Sequence, residues 1–93
     1  MIKHIVMWRL NNRADAPRIK EAIEAMRGKI PGLTELEVGI NFCPDQCAAD
    51  LALYSTFENR GALEAYATHP VHIPVKRFVA GLVAKRWVVD YEI

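Results

Sequence analysis

No stretch of this chain is long enough to span a bilayer; its apolar runs fall well short of the ~20 residues that a crossing helix needs. The opening Ile2-Lys3-His4-Ile5-Val6-Met7-Trp8-Arg9 is interrupted by charge too soon to act as a secretory leader, so the expected address is cytoplasmic. Cysteine is scarce. Cys43 and Cys47 form a lone C-x3-C in the loop Cys43-Pro44-Asp45-Gln46-Cys47. That pair lacks the second ligand pair of a structural zinc site and misses the C-x-x-C redox spacing. No metal site is therefore expected, and the thiols should be reduced, with a local disulfide as the alternative. Charge of either sign is not in excess: 12 Lys and Arg face 11 Asp and Glu. With no basic run, nucleic acid and anionic membranes are poor partners. A glycine-rich phosphate loop is missing too, and nothing in the chain demands an organic cofactor.

What is plentiful is apolar side chain. Hydrophobic residues make up 52% of the 93 positions, a high share for a body with so little interior. Residues 1–93 read as one domain without linker or repeat. Some of its apolar surface should face a partner, and a second copy of the chain is the simplest one.

Periodicity places the elements. Ile2 to Leu10 alternates as a strand, with Ile2, His4, Val6, Trp8 and Leu10 on one face. The other face, Lys3, Ile5, Met7 and Arg9, is partly apolar as well, so both sides should be covered. Asp15 is placed to cap a helix with Pro17 in its first turn. Ile19, Ala22, Ile23, Met26 and Ile30 follow at helical spacing until Gly28 and Pro31-Gly32 end it. Leu36, Val38, Ile40 and Phe42 mark a second strand, and Asp50 to Phe57 a third. Asn59 should cap a helix through Leu63, Tyr66 and Ala67, and a further helical stretch runs through Val75, Phe78, Val79 and Leu82. Lys85 to Glu92 is the fourth strand. The order βαββαβ predicts an α+β, ferredoxin-like domain: a four-stranded antiparallel sheet with helices on one face. The free face of such a sheet is where a second copy would pack.

Two of the three histidines and one tyrosine crowd around a proline in Tyr66-Ala67-Thr68-His69-Pro70-Val71-His72. Pro70 pushes His69 out of helical geometry, so one helix should stop there and another restart with Pro70 at its first position. His72 then lies in the first turn of the new helix, where the macrodipole opposes protonation and predicts a neutral imidazole. A neutral imidazole near a phenol suits proton transfer. The alternative is structural, since histidines at helix ends also satisfy backbone groups and helix tyrosines also pack. Asp50 reads as the partner of a loop amide, and Glu58 and Glu64 as solvated helix surface.

Taken in order, His4-Ile5-Val6-Met7-Trp8, Ile30-Pro31-Gly32-Leu33, Val38-Gly39, Ala49-Asp50-Leu51-Ala52-Leu53 and Phe57-Glu58 resemble the stress-responsive dimeric α/β-barrel (Dabb) domain. Ala62-Leu63-Glu64-Ala65-Tyr66, His69-Pro70-Val71-His72 and Val88-Val89-Asp90-Tyr91-Glu92 extend the resemblance over His4 to Glu92. It implies a homodimer, a dimeric α/β barrel, with an inner pocket in each copy. The family is similar to a plant polyketide cyclase that closes an aromatic ring by an intramolecular aldol step. By position, the cyclase's tyrosine and histidine for proton transfer fall on Tyr66 and His72. The resemblance implies a small-molecule site lined by His4, Val6, Trp8, Ile19, Ile23, His69 and Val75, with His69 also suited to capping the broken helix. Trp8 is bulkier than the aliphatic residue common there, and Ile19 and Ile23 replace aromatic residues, so the cyclase's own substrate does not carry over. Two classes stay open: a cofactor-independent enzyme, whether cyclase, monooxygenase or isomerase, and a non-catalytic stress-related binding protein.

Overall fold

Four strands and three helices make up the computed structural model, which describes residues 1–93. They are β1 (Ile2–Leu10), α1 (Ala16–Glu24), β2 (Leu33–Ile40), β3 (Leu51–Phe57), α2 (Arg60–Ala67), α3 (His72–Ala80) and β4 (Val83–Glu92). The sheet order is β2-β3-β1-β4, with every neighbouring pair antiparallel. Because β3 lies between β1 and β2, and β1 between β3 and β4, the connections are those of the ferredoxin-like fold. No helix is long and apolar enough to cross a membrane.

Strand alternation sorts the two faces. Ile2, Val6, Trp8 and Leu10 from β1 and Leu51, Leu53 and Phe57 from β3 are buried in one cluster with Ile19, Ile23, Tyr66 and Val79 from the helices. The opposite face carries Met7, Val89 and Tyr91, all exposed, beside half-buried Ile5, Tyr54 and Trp87. Lys3 donates to the Tyr54 hydroxyl there, and the Lys85 ammonium lies over the Trp87 ring. The edge strand β2 is latched to α1 and the turn that follows it. Glu24 accepts the Val38 N–H at 3.1 Å, Lys20 donates to the Val38 carbonyl, and Arg27 donates to that of Leu36. Backbone groups that an edge would leave open are thereby satisfied.

Several boundaries differ from the sequence reading. The first helix ends at Glu24, and the N–H groups of Met26, Arg27 and Lys29 each donate three residues back in tight turns around Gly28, whose φ is +79°. Met26 and Ile30 are buried all the same, so a turn fulfils the role their spacing assigned to a helix. Asp15 makes no cap. Asn12 instead accepts the Ala14 N–H to start a short 3-10 turn, and Asp15 pairs with Arg18 at 3.0 Å. The second strand begins at Leu33 and stops at Ile40, leaving Phe42 outside the sheet and 97% exposed. Asn59 does cap α2, accepting the Ala62 N–H at 2.8 Å. The last strand starts two residues earlier than expected, at Val83, and Leu82 lies in the turn before it.

Candidate active site

The break between α2 and α3 builds the site. Pro70 does not open the new helix; α3 starts at His72, after a turn through Pro70 and Val71. The His69 carbonyl accepts from the N–H groups of both His72 and Ile73, at 2.9 and 3.0 Å. Its imidazole Nδ1 accepts the Val71 N–H at 3.0 Å, so His69 fastens the corner. Across that corner the His72 ring stacks on the Tyr66 ring, centroids 3.9 Å apart and planes inclined by 20°. The His72 Nδ1–H donates to the Tyr66 carbonyl at 3.0 Å, which ties the two helices and leaves Nε2 as the free ring nitrogen.

Below these rings lies β1. His4 is 8% exposed, and its ring meets Tyr66 and Phe57 edge-on, with centroids 6.1 and 6.2 Å away. Antiparallel pairing of β1 with β4 sets His4 directly opposite Asp90, and His4 Nδ1 hydrogen-bonds the Asp90 carboxylate. On the other side, fully buried Ser55 donates its hydroxyl proton to the His4 carbonyl at 2.9 Å. A carboxylate on Nδ1 fixes ring orientation and leaves Nε2 for other work.

These groups share one cavity of about 730 Å³, within the ordinary range for small-molecule sites. His4, Val6, Trp8, Ile23, Tyr66, His72 and Val75 all line it, together with Asp90. Ile19 does not; it is 0% exposed and belongs wholly to the core. Nor does His69, which is occupied at the helix corner. Asp50 is elsewhere, accepting the Leu10 N–H at 2.7 Å as a loop anchor, and it pairs with Arg13. Cys43 and Cys47 are exposed, unbonded thiols, and no cluster of three metal-ligating side chains exists.

Burial sets the proton affinities. It pushes the Tyr66 phenol up to about 12, against a small opposing pull from the Arg86 charge. Burial is also the largest influence on His72, holding its imidazole below the usual histidine value. The Tyr66 and Ala67 carbonyls oppose that shift, while Lys76 and His4 add to it. Desolvation thus acts in the direction of the neutral imidazole expected from the sequence. A protonated phenol and a neutral imidazole therefore stand side by side at neutral pH.

Sequence reasoning missed Asp90, Arg86 and Lys76 as cavity residues. Lys76 could have been found from its spacing: His72, Val75, Lys76 and Val79 are one helical face. Asp90 and Arg86 needed the β1–β4 register, which no local pattern supplies.

The fold and this cavity define a ferredoxin-like domain with a buried histidine–tyrosine site. The chain belongs to the stress responsive A/B barrel domain (Dabb) family, whose model matches residues 2–93. It is 34% identical to an uncharacterized protein of Streptomyces coelicolor, over 99% of each chain. A dimeric ferredoxin-like protein of unknown function from Bacteroides fragilis superposes with a TM-score of 0.88 and 36% identity, covering 99% of this chain and 95% of that one. The hydroxynitrile lyase of Passiflora edulis shares the fold, with a TM-score of 0.85 at 19% identity, over 99% of this chain and 92% of its own.

Proposed function

We propose that this protein is a homodimer in which each copy holds a small, mainly apolar or aromatic carbonyl compound and moves a proton on it without a cofactor. The observation that carries this reading is the convergence of His4, Tyr66 and His72 on one apolar-walled cavity. In the proposed step, His72 Nε2 removes a proton from carbon next to a carbonyl, and the electron pair moves to the carbonyl oxygen. The Tyr66 hydroxyl, which stays protonated, donates a hydrogen bond to that oxygen as charge develops. In an aldol closure the enolate carbon then attacks a second carbonyl of the same molecule, and the new alkoxide takes its proton from His72. His4, held by Asp90, would grip a polar end of the substrate. Apolar Met7, Val89 and Tyr91 on the outer sheet face support a second copy there, as do the dimeric relatives. The two exposed thiols suit a reducing, cytoplasmic setting.

One observation favours the non-catalytic alternative. The His72 Nδ1 bond to the Tyr66 carbonyl is also what a purely structural histidine would make between α2 and α3. Hydrogen–deuterium exchange separates the two. With acetophenone in D2O, NMR should show wild-type protein accelerating exchange of the methyl protons, His72→Gln abolishing it, and Tyr66→Phe slowing it by about 10²-fold. Exchange at the buffer rate with wild type, together with early melting of His72→Gln, would establish the structural role instead.

A further inference from the structure

The cavity's charged groups say what kind of molecule fits it. Two carboxylates reach the lining, and one of them, Asp90, is engaged by His4. The other, Glu64, lies exposed on α2. Against them stand Lys76 on α3 and Arg86 on β4, from opposite walls, and neither makes an ion pair within the chain. Lys85, the third cation at the lining, is drawn aside over the Trp87 ring.

The placement of these two cations is not incidental to the site. Arg86 sits opposite Trp8 in the β1–β4 register, so it rises from the inner sheet face that also carries His4 and Asp90. Lys76 follows His72 by one helical turn and shares its face of α3. Their fields are felt at the reacting pair, Arg86 at the Tyr66 phenol and Lys76 at the His72 imidazole. An unpaired guanidinium is a planar fork of donors suited to a carboxylate, and an unpaired ammonium across the opening adds a second point of attraction.

We infer that the ligand is an acid: an apolar or aromatic body seated on Val6, Trp8, Val75 and Val79, with its carboxylate clamped between Arg86 and Lys76. This deepens the proposed function and rests on the same cavity. The clamp would hold one end of the molecule and leave the other beside Tyr66 and His72. It would also disfavour neutral analogues of equal shape, because they offer the two cations no counter-charge.

The test compares two probes of nearly equal shape, 2-naphthylacetate and 2-naphthylacetamide, by calorimetric titration of the protein at low salt. Wild type should bind the acid at least about tenfold more tightly than the amide, the size of a charge-assisted hydrogen bond. Arg86→Gln should erase most of that preference and Lys76→Gln part of it, in each case by weakening acid binding more than amide binding. Both side chains are exposed, so each variant should keep the wild-type melting temperature. Equal binding of acid and amide to wild type would overturn the clamp and leave the apolar pocket standing. A preference that survives both substitutions would overturn the assignment of these residues. Failure of wild type to bind either probe would remove the pocket reading itself, and the clamp with it.

Discussion

Ile19 and Ile23 lie one turn apart on the buried face of α1, yet the structure gives them different surroundings. Ile19 is fully enclosed, whereas Ile23 forms part of the cavity wall. Replacing either by alanine removes three buried carbons, about 2.4 kcal/mol of transfer free energy at ~0.8 kcal/mol each. At Ile19 a new void must open in close-packed surroundings, which raises the expected loss to about 3–5 kcal/mol. At Ile23 the vacated volume merges with space that already exists, so the loss should stay near ~2 kcal/mol. For a domain of this size each kcal/mol is worth about 4–8 °C. Ile19→Ala should therefore melt roughly 12–40 °C below wild type and Ile23→Ala roughly 8–16 °C below, measured at one protein concentration because the midpoint of the proposed dimer would depend on it. Binding of 2-naphthylacetamide should change in Ile23→Ala and not in Ile19→Ala, measured at a temperature where both are folded. Equal destabilisation with unchanged binding in both would refute the reasoning, since it would mean that α1 closes onto the sheet and the cavity does not persist in solution.

Gly32 has φ +80°, and a Cβ there would come within 2.5 Å of the Ala62 Cβ. Gly32→Ala should cost more than the ~1–2 kcal/mol of the left-handed conformation alone, whereas Gly28→Ala, with open space around it, should cost only that much by denaturant titration. His72 has a folded-state pKa below its unfolded value, so the unfolded chain binds more protons between the two. Its contribution is fully present above the unfolded value of 6.5 and is lost as pH falls from there toward the folded pKa. The melting temperature of His72→Gln should accordingly fall less than wild type's between pH 7.5 and 5; an identical fall would refute the assignment. Val89→Glu places a charge on the outer sheet face and should give a monomer by sedimentation, and a dimer of undiminished stability would exclude that face as the interface.

Much of the fold was legible because burial follows strand and helix periods. In β1 the alternation from Ile2 to Leu10 matches the buried positions residue for residue, including His4 and Trp8. The same logic misled at Met26 and Ile30. Those positions are buried as expected, but tight turns ending at left-handed glycines put them there, and hydrophobic period alone does not tell a turn from a helix. Phe42 continued the alternation of β2 after the chain had already left the sheet. The site was legible to the extent that it was local. Tyr66 and His72 are six residues apart, and the proline between them announced the corner. The partner of His4 is 86 residues away in sequence, and only strand pairing brings it close.

That pairing also links the two halves of the proposal. β1 and β4 are adjacent strands, and each points one set of side chains inward and the other outward. Asp90 and Arg86 project toward the cavity, while Val89 and Tyr91, which flank Asp90 in the chain, project to the outer face. β4 is an edge strand whose outer edge has no further strand, so in a lone copy the pairing that sets His4 against Asp90 is held from one side only. A second copy pressed on Val89 and Tyr91 would bear on the same strand from below and restrain it against fraying. The dimer would then do more than cover apolar surface: it would hold the register on which the histidine's orientation and the placement of Arg86 both depend. Monomeric variants made on that face should for this reason lose ligand discrimination along with assembly, even though none of the substituted residues touches the cavity.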